Sequence, residues 1–175
     1  MPQSPQIGPA ASSAESSAPI HVRPLAPGEE HAVAALVRAV VEPLAYYSEA
    51  ARTAEIAKYS AANLAVMAEE DAAAVIVAAV GARVVGFCIS RYDDGVIWLS
   101  WFGVDPAWRG SGVGGALLGA LEAGVRARGC RKIWCDTRTE NVRSQAVLRR
   151  AGYTEICRLD DHWYGQDFIL WQKVP

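Results

Sequence analysis

One segment concentrates the chemistry this chain could do: Val104-Asp105-Pro106-Ala107-Trp108-Arg109-Gly110-Ser111-Gly112-Val113-Gly114-Gly115. Glycines lack a Cβ and let the backbone approach a ligand closely. The segment runs into a helix-periodic stretch, and the first N–H groups of a helix have no intrahelical partners. Such a terminus binds phosphate oxygens, helped by the helix dipole. Arg109 adds a positive charge and a fork of donors at the entrance. The residue types therefore predict recognition of a phosphorylated cofactor.

Two motifs compete for the glycines. Gly110, Gly112 and Gly115 satisfy G-x-G-x-x-G, with Asp136 about twenty residues further on, as in a dinucleotide-binding fingerprint. That fingerprint puts its first glycine at the end of a strand, whereas Asp105 to Arg109, with Pro106 among them, intervene here. Only about forty residues follow Asp136, too few for a second nucleotide-binding half. A P-loop is excluded because no Lys-Ser/Thr follows the glycines. The other motif reads V-x-P, then R-x-x-G-x-G/A opening a helix, and Val104 to Gly114 match it throughout. A second signature follows at Asn141-Val142-Arg143-Ser144-Gln145-Ala146-Val147-Leu148-Arg149-Arg150-Ala151-Gly152-Tyr153. Both motifs, in this order, resemble the GNAT superfamily of N-acetyltransferases, over about residues 20–174. The second is similar to the branch that acetylates ribosomal-protein and other N-terminal amines.

Elements that would position these residues can be read from periodicity. Residues 20–25 resemble a first strand, and Pro27-Gly28-Glu29-Glu30 starts a helix carrying Val33, Leu36, Val37 and Val40 at helical spacing. A second amphipathic helix is predicted from about Ser48 to Met67, with Ile56, Tyr59 and Leu64 inward. Runs at 73–80, 84–91 and 96–104, joined by Gly81-Ala82 and Asp93-Asp94-Gly95, predict an antiparallel meander. Val113, Leu117, Leu121 and Val125 mark a helix over 111–128; a strand at 132–136, a helix at 141–151 and closing strands at 153–159 and 168–174 complete the series. The expected fold is α+β: a mixed, mostly antiparallel sheet of about seven strands with helices on both faces.

The resemblance implies acetyl-CoA as cosubstrate, no metal, and acetyl transfer to a primary amine by direct attack. It places the pantetheine arm against Phe102, Gly103 and Val104, in a gap where the strands flanking the loop splay, with a bulge expected at Phe102-Gly103. It places the pyrophosphate on Arg109, Gly110, Ser111, Gly112, Val113 and Gly114, and coenzyme contacts on Asn141 and Ser144. The acceptor region carries Glu42, Tyr46, Tyr47 and Trp163, an acidic and aromatic set suited to a cationic amine. Trp98 and Trp101 read as packing residues.

Catalysis needs a neutral amine, and therefore a proton acceptor. The strand over 96–104 has no acidic residue where family members carry a Glu. Asp136, or Asp161 and His162, remain as bases, with Asp136 also readable as a turn or capping acid. The position of the family's thiolate-protonating Tyr is Leu148, leaving Tyr153, Tyr164 or water for that step. Three functions stay open on these residues: acetylation of a small amine, acetylation of a protein N-terminus or lysine, and non-catalytic acyl-CoA sensing.

The 175 residues suffice for one domain with its own core. Residues 1–19, almost all Pro, Ser, Ala, Gln and Gly, predict a disordered tail, and 20–175 the acetyltransferase domain. A net charge of -2 gives no basis for nucleic-acid binding. Cys88, Cys130, Cys135 and Cys157 lack metal-ligand spacing and read as buried reduced thiols. No apolar run reaches membrane-spanning length, and the first residues lack a basic and apolar leader. The expected setting is cytoplasmic, with no membrane partner. A homodimer through the late strands is the assembly the family resemblance allows.

Overall fold

A computed structural model describes residues 19–175. Most of the predicted tail, residues 1–18, lies outside the described residues. The chain runs β1 (His21–Pro24), α1 (Glu30–Val41), α2 (Glu49–Lys58), α3 (Ala61–Glu70), β2 (Val75–Val80), β3 (Arg83–Asp93) and β4 (Val96–Val104). It continues through α4 (Val113–Ala127), β5 (Lys132–Arg138), α5 (Val142–Arg150), β6 (Thr154–Leu159) and β7 (Phe168–Lys173). The strands form one sheet in the order β1-β2-β3-β4-β5-β7-β6, antiparallel except for β4 with β5. This is the α+β architecture the sequence predicts.

Strand alternation sorts the apolar residues into two cores. Val75, Val77, Phe87 and Ile89 pack with α1, α2 and α3. Ile76, Ala78, Val80 and Cys88 point the other way, against Val113, Leu117, Leu121 and Val125 of α4 and Leu148 of α5. Since successive strand residues face opposite sides, a central strand buried on both faces must be apolar throughout, as β2 is. Each such fully buried side chain contributes about 1.5–3 kcal/mol of transfer free energy.

The predicted second helix is two helices. Ser60 caps α3 by accepting from the Asn63 N–H at 3.4 Å. The Asn63 side chain returns to the last carbonyls of α2, donating to Ala57 at 3.2 Å and Lys58 at 3.0 Å. These side-chain bonds offer the backbone partners outside a continuous helix. Tyr59 and Leu64, predicted inward, are buried, and Ile56 packs on the same core.

Among the four thiols, Cys88 and Cys135 are buried as expected, but Cys130 is half-buried and Cys157 is exposed on the edge strand β6. None of the four is in a disulfide.

Candidate active site

The site opens where β4 and β5 part. Their parallel register holds only at Val96–Lys132, Ile97–Ile133 and Trp98–Trp134. Beyond Trp98 both strands continue, β4 pairing with β3 and β5 with β7. The β4 edge facing β5 is thereby left open over the segment predicted to bind the pantetheine arm. The bulge lies two residues earlier than expected: Ile89 faces Trp101 and Ser90 faces Leu99, so Ser100 is the extra residue. Gly103 is regular strand, and it is glycine because the Phe87 ring covers it.

A cleft of about 440 Å³ fills this opening. It brings together Tyr47, Phe102, Asp136, Asn141, Ser144, Trp163 and Tyr164 from the predicted site. Trp98 and Trp101, expected only to pack, also line it, because the extra residue at Ser100 breaks the period-two alternation between them. Asp136 is an interior strand residue opposite Leu170, not a cap. Burial pushes its carboxyl above the usual carboxylate range, opposed by the Trp163 indole N–H and by the His162 and Arg138 charges. Such a group holds a proton near neutral pH more readily than an exposed aspartate does.

Several predicted residues sit elsewhere. Glu42 is at the exposed end of α1, paired with Arg38 at 3.1 Å, and does not line the cleft. Tyr46 is half-buried beside Tyr47, with ring centroids 5.5 Å apart, and its carbonyl accepts from Gln166 Nε2. His162 is exposed, does not line the cleft, and sets its ring at a tilt against Trp163, with centroids 4.6 Å apart. Tyr153 places its hydroxyl in the core, without a partner among the described residues, outside the cleft lining. Leu148 is fully buried. Tyr164, half-exposed with φ at +57°, is the phenol that reaches the cleft mouth along with the Tyr47 and Tyr59 side chains behind it.

Sequence reasoning missed Glu55, Ser100 and Arg138. Glu55 accepts the Trp101 indole N–H at 3.1 Å across the cleft. Its position, about one turn before the unanticipated break between α2 and α3, carried no motif. Arg138 ends β5, one strand repeat beyond Asp136 on the same face, and that period-two relation was available in the sequence.

The glycine loop forms a second groove of about 540 Å³ between α4 and α5, lined by Gly110, Gly112, Gly114, Gly115 and Gly119 among others. Gly110 and Gly112 take φ of +83° and +91°, and Cβ atoms built on Gly110, Gly112 or Gly115 would meet nothing within 4 Å. Asp105 holds the lead-in turn, accepting from Ala107 N–H at 2.9 Å and from Arg83 at 2.8 Å. Ser111 donates to the Trp108 carbonyl at 2.6 Å, and Val113 is buried in the core behind the loop. Burial and the neighbouring Arg143 push the Arg109 guanidinium below its ordinary range. Two neighbouring guanidiniums, neither in an ion pair among the described residues, beside open backbone at the start of a helix, fit a diphosphate. Asn141 caps α5, accepting from Ser144 N–H at 3.2 Å, and stands at the edge of the cleft.

Comparison with known proteins agrees with this geometry. The sequence model described as the acetyltransferase (GNAT) family matches residues 40–153. An aminoglycoside N(6')-acetyltransferase type 1 from Stenotrophomonas maltophilia is 36% identical over 102 residues, 53% of this chain and 67% of that protein. The N-acetyltransferase PaiA from Thermoplasma acidophilum, solved with coenzyme A, superposes with a TM-score of 0.76 over 90% of this chain and 99% of that one, at 16% identity. Ribosomal-protein-alanine N-acetyltransferase from Brucella melitensis gives 0.72 over 89% and 99%, at 23% identity. The chain belongs to the GNAT acetyltransferase family. It is an acetyl-CoA-dependent N-acetyltransferase that acts on a primary amine. Among the described residues no cluster of His, Cys, Asp and Glu is placed to hold a metal ion, and no helix is long and apolar enough to cross a membrane.

Proposed function

We propose that this chain acetylates the primary amine of a small molecule seated in the cleft between β4 and β5, with Asp136 as the proton acceptor. The observation that supports this most is the half-buried Asp136 carboxyl lining the cleft, beside the opening of the splay. Acetyl-CoA supplies the activated acyl group as a thioester. Asp136 takes the proton from the acceptor ammonium, leaving a lone pair to attack. Glu55, held by the Trp101 N–H, adds negative charge that attracts the cationic amine. Trp163 gives it an aromatic face. The new C–N bond replaces the C–S bond, the Tyr164 hydroxyl gives its proton to the departing thiolate, and the second proton lost by the acylated nitrogen restores the phenol. A thiol is a tolerable leaving group, so Leu148 in place of a phenol does not abolish turnover.

On the coenzyme side, the Phe102 to Val104 edge binds the arm, and Arg109, Ser111, Gly112 and the following N–H groups bind the pyrophosphate. Ser144 and Asn141 border the same path. We place the protein in the cytoplasm, and any homodimer on the exposed face of β6, where Ile156 stands out. The test is thermal stability with acetyl-CoA and CoA, followed by free-thiol release against pooled amines, amino acids, amino sugars and peptides. A shift with thiol release supports the reading, and the responding pool separates small amines from peptide N-termini. A shift with release from no pool would replace it with a non-catalytic acyl-CoA sensor.

A further inference from the structure

The acceptor cleft holds a buried cation that forms no ion pair among the described residues. Arg138 is 5% exposed and lines the cleft. Its Nε donates to Gln166 Oε1 at 2.7 Å, while Nη2 is buried without a hydrogen-bond partner among the described residues. The faces of the guanidinium are covered, by the Tyr47 ring at 3.5 Å and the Phe168 ring at 4.9 Å from its central carbon. Only the edge remains to bond a ligand. A desolvated charge without a partner is costly, and a carboxylate accepting from the guanidinium edge relieves that cost. Asp136 lies on the same face one strand repeat away, a step of about 7 Å along β5, yet the two side chains form no ion pair within 4 Å. The cleft therefore presents separated negative and positive groups. Lys58 and Arg91 also line it, so its cations outnumber Glu55 and Asp136.

We propose that the acceptor is a zwitterionic, amino-acid-like compound whose carboxylate docks on Arg138 while its amine lies at Asp136. This rests on the transferase reading above and narrows its substrate class. It also separates this chain from a polycationic amino-sugar acceptor, which three cationic side chains in the cleft would repel.

The test compares matched acceptors on the wild-type enzyme: amino acids, their carboxamides, the decarboxylated amines, and kanamycin as a polycation. The expected result is a kcat/KM at least tenfold higher for the acid than for its carboxamide, carried mainly by KM, and a weaker response to kanamycin than to any turned-over amino acid. Arg138→Gln should erase that preference, read as the ratio of kcat/KM for the acid to that for its carboxamide within the variant. Arg138→Lys should restore part of it. Equal or better turnover of the carboxamide, or kanamycin as the best acceptor, overturns the proposal. Calorimetry of N-acetyl amino acids and their amides, with CoA present, reads the same site without turnover. If no amine releases thiol, the transferase reading fails, and this binding comparison still decides the carboxylate site: preference for the acid supports it, and equal binding overturns it.

Discussion

Gly103 lies against the Phe87 side chain, so that a Cβ there would sit 2.6 Å from Cε1 and 2.7 Å from Cζ of the ring. Phe87 is fully buried, and its ring also stacks on Trp101 with centroids 6.3 Å apart. The ring cannot move without disturbing a cleft residue. Gly103→Ala should lower stability by about 1–3 kcal/mol, the usual cost of overpacking a filled core. Urea denaturation should show a lower midpoint, and acetyl-CoA affinity should fall with it. An unchanged midpoint would mean that the ring has room to yield.

Gly115→Trp tests the glycine groove. Gly115 has ordinary helical backbone and open space at its Cβ position, so a large side chain fits the fold and fills the groove. A tryptophan at Gly112 would add strain from its φ of +91°. The Gly115 variant should keep its far-ultraviolet circular dichroism and lose at least tenfold in CoA affinity by calorimetry. Retained affinity would move the pyrophosphate elsewhere.

Asp136→Asn separates base from scaffold. A base must be deprotonated, so the wild-type kcat/KM should fall as pH drops through the raised Asp136 value, above the usual carboxylate range. The variant should lose this limb and roughly a hundredfold or more in rate, with acetyl-CoA affinity retained. A raised folded value means the ionised carboxyl opposes folding as pH rises through it. The variant should therefore be at least as thermally stable as the wild type at neutral pH. Loss of activity accompanied by loss of stability would assign Asp136 a structural role.

Glu29→Gln addresses the entry to α1. Glu29 accepts both terminal nitrogens of Arg23 at 2.7 Å and the Ala26 N–H at 3.0 Å. The Arg23 bonds hold its carboxyl below the usual range. Its contribution is present above the unfolded value of about 4.3 and is lost as pH falls through the lowered folded value. The variant should lose about 1 kcal/mol at pH 7, as expected for a partly exposed bidentate pair. Its unfolding midpoint should converge with that of the wild type in acid. A constant difference across pH would assign the effect to packing.

Much of the fold was legible because burial leaves a local record. β2 is apolar at every position since both its faces are covered, and β4 has the bounds its sequence predicts. The loop was legible because phosphate recognition needs glycine and arginine at fixed spacing. What escaped was non-local. The bulge at Ser100 depends on register against β3, so the inward turn of Trp98 and Trp101 could not be read from their spacing. Glu55 enters the cleft because Ser60 and Asn63 end one helix and start another. Arg138 matters because Tyr47 and Phe168, far apart in sequence, close over it.

The parallel seam between β4 and β5 is the shortest strand join in the sheet. Three register pairs join the half of the sheet built by β1 to β4 to the half built by β5, β7 and β6. Amide hydrogen exchange should therefore show the β5 to β7 half opening at lower free energy than the β2–β3 pair, which is enclosed on both faces. A cosubstrate lying across the gap contacts both halves and binds only when they are closed. Each should then gain protection with increasing acetyl-CoA, following the logarithm of its concentration over its dissociation constant.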